Sequence, residues 1–312
     1  MDWQHQDIQQ AAQRLAPYHV LTPCLRNDYL DALSGAQLWF KCENLQRTGA
    51  FKFRGACNAL LQLSEQQRQQ GVFTVSSGNH GAALACAGQL LAIPVQVAVP
   101  NNAPQVKKDN IARYCQHITE IAPGMAAREQ FINARQQQPG TLIPPYNHAH
   151  IIQGQATAAW ELCQQQPQLD TLLAPLGGGG LLSGTVRVAR SLGIEQVIGA
   201  EPANADDAYQ SLRSGQLQPA RPPESVCDGL LTSLGEHTFA ILQAGLDRVL
   251  LVDDEQVIDA MQLLWLHLKM VVEPSSAITL AAVLAYPEYF SGRQVGIILS
   301  GGNVDLKRLP WH

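Results

Sequence analysis

The stretch VFTVSSGNHGAALACAGQLLAIPVQVAVP, residues 72–100, decides the fold. A β-branched run gives way to a polar turn, then to the alanine-rich HGAALACAGQLLA, then to the alternating VQVAVP. Short β-branched runs on either side of a helical segment predict parallel strands joined by a crossover helix. The beat continues through QVKKDNIARYC, ITEIA, REQFINARQQQ, TLIPP, HIIQGQATAAWELCQQ, TLLAPLG, LLSGTVRVARSLG and QVIGAEP. It resumes in RVLLVDDEQVIDAMQLLWLHL and QVGIILSGG. Upstream, a strand-like QLWFKCENL leads through TGAFKFRGA into a helix expected over GACNALLQLSEQQRQ. The count fits an α/β protein of two doubly wound units, parallel or mixed sheets flanked by helices. No internal repeat is visible, and the glutamine-rich patches sit at helix ends as solvated filler.

Composition narrows the function classes. The 312 residues are 46% apolar, enough for a substantial core, and the formal net charge is −5. Lys and Arg are scattered, with Lys107–Lys108 the densest pair, so a nucleic-acid backbone finds little to grip. Seven cysteines contain no C-x-x-C pair, which argues against a disulfide framework or zinc ribbon and for a reducing compartment. The polar, amphipathic N-terminus lacks the pattern of a signal peptide, and no apolar run approaches 18 residues; a soluble, cytoplasmic protein is expected.

Ligands of open α/β sheets sit at the carboxyl ends of strands, which directs attention to three loops. LGGGGLLSG, residues 176–184, leaves a strand and enters a helix, so consecutive backbone N–H groups can converge on an anion such as phosphate. Its spacing matches neither G-x-x-x-x-G-K-[ST] nor G-x-G-x-x-G, so nucleotide readings are weak; a flexible turn is the plain alternative. SSGNHG, residues 76–81, offers hydroxyls, an amide and an imidazole and resembles a carboxylate cradle, against the alternative of a serine N-cap with a satisfied His80. LSGGNVD, residues 299–305, would present Ser300 at a strand end or be an ordinary turn.

Lys52, in TGAFKFRGA, completes the set. An unperturbed lysine is neutral in roughly one molecule in 2,500 at pH 7, so a nucleophilic amine must be desolvated or placed near another cation. Phe51 and Phe53 are expected to supply the desolvation and Arg54 the charge; the competing assignment is a surface lysine on an edge strand. A phosphate loop, a carboxylate cradle and a buried amine together describe pyridoxal phosphate held as an imine, with an amino-acid substrate.

On these motifs the chain resembles the serine/threonine dehydratase and serine racemase family, fold-type II pyridoxal-phosphate enzymes. KCENLQRTGAFKFRGA, SSGNHGAALA, PLGGGGLLSG, GAEPANADDAYQSLRSG, CDGL, VVEPSSA and LSGGNVDL carry the resemblance over nearly the whole chain. It implies a large cofactor-binding domain, residues 1–66 plus 149–312, and a small mobile domain, residues 67–148, that closes on substrate. It further implies that Lys52 holds the cofactor, Phe51 packs against it, Asn79 meets its ring hydroxyl, Gly177, Gly178, Gly179 and Gly180 hold its phosphate, and Ser300 meets the pyridine nitrogen. Ser76, Ser77 and His80 would receive the substrate carboxylate.

A neutral hydroxyl at the ring nitrogen moderates the electron sink and favours loss of a β-leaving group. The implied reaction is dehydration: Lys52 removes the Cα proton as general base, the β-hydroxyl leaves as water with help from the cofactor phosphate, and the enamine hydrolyses to a 2-oxo acid and ammonia. Serine, threonine and 3-hydroxyaspartate are the candidate substrates. Ser77 matches a serine that works opposite the lysine in racemases of the family, so a serine racemase with secondary dehydration is the rival. A catalytically silent cofactor-binding module is a third reading, opposed by the joint presence of Lys52, Ser77, Asn79 and Ser300.

EPANADD matches a divalent-cation site with Glu201, Asp207 and the Ala205 carbonyl as ligands, suited to Mg²⁺, Ca²⁺ or Mn²⁺; a solvated acidic loop is the alternative. Arg128 matches an arginine reaching the substrate's distal end, where it would pair with a second carboxylate; otherwise it is a helix-surface charge. Asp228 matches an aspartate lining the active site, with a helix N-cap as its competitor. A homodimer is expected from the family. Departures are Gly154-Gln155-Ala156 in place of G-Q-G, the loop PPYNHAH, whose Tyr146 and Asn147 would reshape the substrate pocket, and Ser276 where glycine is common. The chain ends shortly after LSGGNVDL, so no C-terminal regulatory domain, and hence no feedback control by isoleucine, is expected.

Overall fold

The computed structural model describes residues 5–103, 105–115, 117–219 and 224–311. Met1–Gln4, the start of the amphipathic N-terminal segment, lie outside them. In chain order the strands are β1 (Cys24–Leu25), β2 (Gln37–Cys42), β3 (Val72–Val75), β4 (Val95–Pro100), β5 (His117–Ile121), β6 (Thr141–Leu142), β7 (Thr171–Pro175), β8 (Gln196–Pro202), β9 (Arg248–Val252) and β10 (Gln294–Leu299).

They form two sheets. One runs β1-β2-β10-β7-β8-β9 and the other β5-β4-β3-β6. Every pairing is parallel except β1 with β2. The central strands read as continuous apolar runs because helices cover both faces of a parallel sheet: β3 and β7 are buried at every residue. The two doubly wound α/β units anticipated from the alternation are present, with β1 as an antiparallel edge.

The helix expected over 55–69 is two helices, Lys52–Leu61 and Glu65–Gln70. The second has its own start signal, in which Ser64 Oγ accepts from Gln67 N at 3.2 Å and Gln67 Oε1 from Ser64 N at 2.9 Å. The first packs against helix Asn79–Leu91 on one side and helix Ala149–Gln165 on the other. The second contact is close: a Cβ on Gly154 would lie 2.7 Å from Gly55 Cα, and Gly55 N donates to Gln155 Oε1 at 3.1 Å. On the other face of the same long helix Gly184 meets Ala156, where a Cβ would fall 2.7 Å from the Ala156 N. Among the described residues no helix is long and apolar enough to cross a membrane.

Candidate active site

Lys52 is placed by its backbone. Residues 43–49 form two 3₁₀ turns in which Thr48 and Gly49 take φ of 60° and 75°. A Cβ on Gly49 would strike Asn303 Oδ1 at 2.5 Å. Ala50 then bridges Gly301, and Phe51 N donates to Ser300 O at 3.0 Å. The lysine thus enters its helix pinned to the carboxyl end of β10.

Its Nζ donates to Pro145 O at 3.0 Å and sits 5.1 Å from the Phe51 ring centroid. Burial pulls the amine down to about 8, against the pull of Glu273. Phe51 supplies part of the apolar wall, as expected. Phe53 and Arg54 do not act as expected, because both point away from the amine. Phe53 is sealed in the core of the four-stranded layer. Arg54 is wholly buried between Glu43, at 2.6 Å, and Glu161, at 2.7 Å, so its charge is already neutralised.

The pocket collects residues from strand ends of both sheets. From the four-stranded sheet, the turn after β3 brings Ser76, Ser77, Asn79 and His80; the first turns of the helices after β4 and β5 bring Lys107 and Arg128. From the six-stranded sheet come Gly177–Gly180 after β7, Ser300 after β10, and Asp228, Ser275 and Glu273 from neighbouring loops and a helix start. The enclosed space is about 220 Å³. Every residue expected to be catalytic, cofactor-holding or substrate-holding lines it; the three expected metal ligands do not.

Four glycines are required after β7. Gly179 has φ of 82°, and a Cβ at Gly177, Gly178, Gly179 or Gly180 would fall 2.7, 2.5, 2.7 or 2.9 Å from Leu230 Cα, Tyr146 Cδ1, Leu234 Cδ2 or Tyr146 Cβ. The bare backbone opens the helix Gly180–Leu192, whose first N–H groups have no intrahelical partner. This cradle, the buried amine and the buried Ser300 fit a phosphorylated carbonyl cofactor. Tyr146 lies on the cradle and lines the pocket, as the departure in its loop implied. Asn147 turns away, its Oδ1 accepting from His237 N at 2.9 Å.

Ser76 Oγ accepts from Gly78 N and Gly81 N, at 3.3 and 3.2 Å, which ties the turn into a concave loop. His80 faces Ile143 O through Nε2 at 3.0 Å, and burial with the nearby Lys52 pushes its ring down to about 3. A neutral ring that donates from Nε2 has no N–H left for a carboxylate, so a carboxylate contact from this residue falls to its helix-start backbone N–H. Asn79 donates Nδ2 to Glu273 Oε1 at 2.9 Å and accepts at Oδ1 from Asn303 Nδ2 at 2.8 Å.

Glu273, to which the sequence reading gave no role, is a buried acid pushed up to about 7 by burial and by Asp228, opposed by Lys107 and the Asn79 amide. Asp228 neither caps a helix nor stands alone; it pairs with Lys107. Lys107, part of the basic pair Lys107–Lys108, stands after β4 at the carboxyl strand end where ligands of such sheets bind.

Glu201 is the penultimate residue of β8, Ala205 lies in the turn 203–205, and Asp207 begins helix Asp207–Ser214. The Glu201 oxygens accept from Ala208 N and Tyr209 N, each at 2.8 Å. Burial pushes Glu201 up to about 8, and Asp207 and Asp206 add to the rise. Among the described residues no cluster of three or more His, Cys, Asp or Glu side chains is arranged to hold a metal.

The family model described as pyridoxal-phosphate dependent enzyme matches residues 15–301. The chain is 45% identical over 310 residues to a beta-hydroxyaspartate dehydratase of Paracoccus denitrificans, covering 99% of this chain and 98% of that one. It is 44% identical over 305 residues to an L-threo-3-hydroxyaspartate ammonia-lyase of Saccharomyces cerevisiae, covering 97% and 94%. The crystal structure of serine racemase from Dictyostelium discoideum superposes with a TM-score of 0.92 at 44% identity, covering 97% of this chain and 99% of that one.

Proposed function

We propose, from the premise that this chain belongs to the pyridoxal-phosphate dependent enzyme family, that it is an ammonia-lyase turning a β-hydroxy amino acid into a 2-oxo acid and ammonia, with 3-hydroxyaspartate the preferred substrate. One observation carries the substrate choice. Arg128 lines the pocket beside the carboxylate-binding turn, and no carboxylate forms a salt bridge with it among the described residues. A half-buried guanidinium that faces a ligand cavity without a carboxylate partner is a ready site for an anion.

Bound pyridoxal phosphate supplies an electron sink that acidifies the substrate's Cα–H. The chain's own groups do the rest. Gly177–Gly180 and the following helix start would hold the phosphate, Asn79 the ring hydroxyl, Phe51 one ring face, and Ser300 the ring nitrogen with a neutral hydroxyl. Ser76, Ser77 and the first backbone N–H groups of helix Asn79–Leu91 would take the α-carboxylate. Lys52 Nζ, lowered by burial, takes the Cα proton as general base; loss of the β-hydroxyl as water and hydrolysis of the enamine leave 2-oxo acid and ammonia. Ser77 lines the same pocket and, as a second proton carrier, supports racemisation of serine as the alternative.

Residues 67–148 would close over the substrate as a unit. The acids at Glu201 and Asp207, with the Ala205 carbonyl, would hold a divalent cation; they come from the end of β8, the turn after it and the start of the next helix, and the Asp207 charge is felt at Glu201. A second copy of the chain would cover exposed Tyr29, Leu33 and Leu266, the last 60% exposed. The deciding test is release of 2-oxo acid from L-serine, L-threonine and the threo and erythro isomers of 3-hydroxyaspartate, with Lys52→Ala as control. Release fastest from a hydroxyaspartate isomer and absent in the control supports the reading; recovery of racemised serine with no 2-oxo acid moves it to the alternative.

A further inference from the structure

We infer that Lys107 is a specificity-determining residue of this site, whose ammonium exchanges Asp228 for the distal carboxylate of a dicarboxylic substrate and shares that carboxylate with Arg128. The inference rests on the dehydratase reading above and assigns a role that the motifs did not.

The crossover helices after β3, β4 and β5 all start at the carboxyl end of the four-stranded parallel sheet, and each puts a functional group into the same pocket: the turn that would take the α-carboxylate, Lys107 and Arg128. Two cations therefore stand on the wall next to the turn that would take the α-carboxylate. A single substrate carboxylate on that turn leaves Arg128 without an anion and Lys107 with Asp228 alone; a second, one or two carbons further along the substrate, reaches both.

Charge decides how Lys107 takes part. Asp228 and Glu273 are the acids lining the pocket among the described residues, and Lys107 acts on both, as the salt-bridge partner of the first and a charge felt by the second. A second substrate carboxylate arriving beside Asp228 meets a like charge unless a cation stands between them. Arg128 answers for one anion and Lys107 must answer for the other. The existing pair is suited to exchange, because the Asp228 side chain is 51% exposed, so water can replace the ammonium on it, and an ion pair at an exposed carboxylate is weakly held. Lysine also carries its compact charge on a flexible stem, so the ammonium can swing from one oxygen pair to another.

This assignment gives the two partners opposite signs. Removing Lys107 leaves Asp228 to repel a dicarboxylate, whereas neutralising Asp228 frees the ammonium for it. A pair that served only to hold the two sheets together over the pocket would give both variants the same sign on every substrate.

The experiment measures kcat/KM of the holoenzyme for 3-hydroxyaspartate and L-serine, with inhibition of serine turnover by succinate, in wild type, Lys107→Gln and Asp228→Asn. The ratio of the two kcat/KM values is expected to fall about tenfold in Lys107→Gln, mostly through KM, and to rise about threefold in Asp228→Asn. The succinate Ki should move about tenfold up in the first and down in the second. An unchanged ratio in Lys107→Gln, or equal shifts on both substrates in both variants, overturns the inference. A wild type that dehydrates serine but not 3-hydroxyaspartate overturns the substrate reading instead, and the succinate arm still decides on Lys107: an unchanged Ki, or no inhibition of the wild type, rejects its role.

Discussion

Asn79 and Glu273 meet across the pocket, the amide Nδ2 of the first donating to Oε1 of the second at 2.9 Å. One residue opens the helix after β3 and the other caps the helix Pro274–Ala285, so the bond joins the two sheets' strand ends. With Asn303 Nδ2 on its Oδ1, the Asn79 amide is held in one orientation and keeps one N–H for a ligand.

That bond bears on pH. Glu273 is pushed up to about 7 from 4.5, so the folded state binds its proton more tightly than the unfolded chain. Its contribution to stability is full below about 4.5 and is lost as pH rises through about 7. In apoprotein melting, Glu273→Gln should match wild type near pH 5 and exceed it near pH 8. A variant that tracks the wild type at both pH values would rule out a proton-holding acid here.

Lys52 has the opposite sign. Its amine is lowered to about 8 from 10.5, so its contribution is present above 10.5 and is lost as pH falls through about 8. The Lys52→Met apoprotein should therefore be more stable than wild type at pH 7, with the gain shrinking towards pH 10. The same variant should lose about 10³-fold in kcat and show no lysine-linked cofactor absorbance.

At Gly178 an added Cβ would sit 2.5 Å from Tyr146 Cδ1, so Gly178→Ala must push the ring off the cradle. Cofactor affinity measured by titration should fall at least about tenfold, roughly the loss of one hydrogen bond to a charged group. Adding Tyr146→Ala should restore part of it. No restoration would place the damage in the cradle backbone rather than in the clash.

Glu201 is pushed up to about 8, so the ionised form is disfavoured when nothing neutralises it. Mg²⁺ or Ca²⁺ at saturating concentration should raise the melting temperature near pH 8 by about 3 °C or more, and less near pH 6. Glu201→Gln with Asp207→Asn should abolish that rise. An equal rise in the double variant would remove the cation from this place.

Arg54 lies wholly buried between Glu43 and Glu161, which also binds Lys41 at 2.8 Å. Arg54→Met would leave two carboxylates short of a buried partner, with a loss of about 3–5 kcal/mol in urea unfolding. A loss below about 1 kcal/mol would mean the acids find another cation.

The fold was legible because parallel strands buried on both faces must be apolar throughout: VFTV, TLLAP and QVGIIL are unmistakable, and so was the rule that ligands lie at their carboxyl ends. The two-residue β1 was not legible, since Cys24–Leu25 carries no periodicity. Nor was the break at residues 62–64, where a helical composition hides a serine start signal. That Lys52, the glycine run and the Ser76–Gly81 turn line one pocket was legible, because each lies at the carboxyl end of a strand or is pinned to one. Arg54 was misread because adjacency in sequence is not adjacency in space on a helix, where the next two side chains point elsewhere. Glu273 and Lys107 act through partners 194 and 121 residues away, Asn79 and Asp228, and no local pattern records that.

The pairing of β2 with β10 joins Gln37–Cys42 to Gln294–Leu299, and this has a consequence for how the chain is made. A ribosome adds about 5–20 residues per second, so β2 waits on the order of tens of seconds for its parallel neighbour. The four-stranded sheet needs only residues 72–142 and is complete long before. The wall that carries the Ser76–Gly81 turn, Lys107 and Arg128 can thus assemble on the nascent chain, while the Lys52 turn, which is pinned to Ser300 and Gly301, takes its final shape only after those residues have been made.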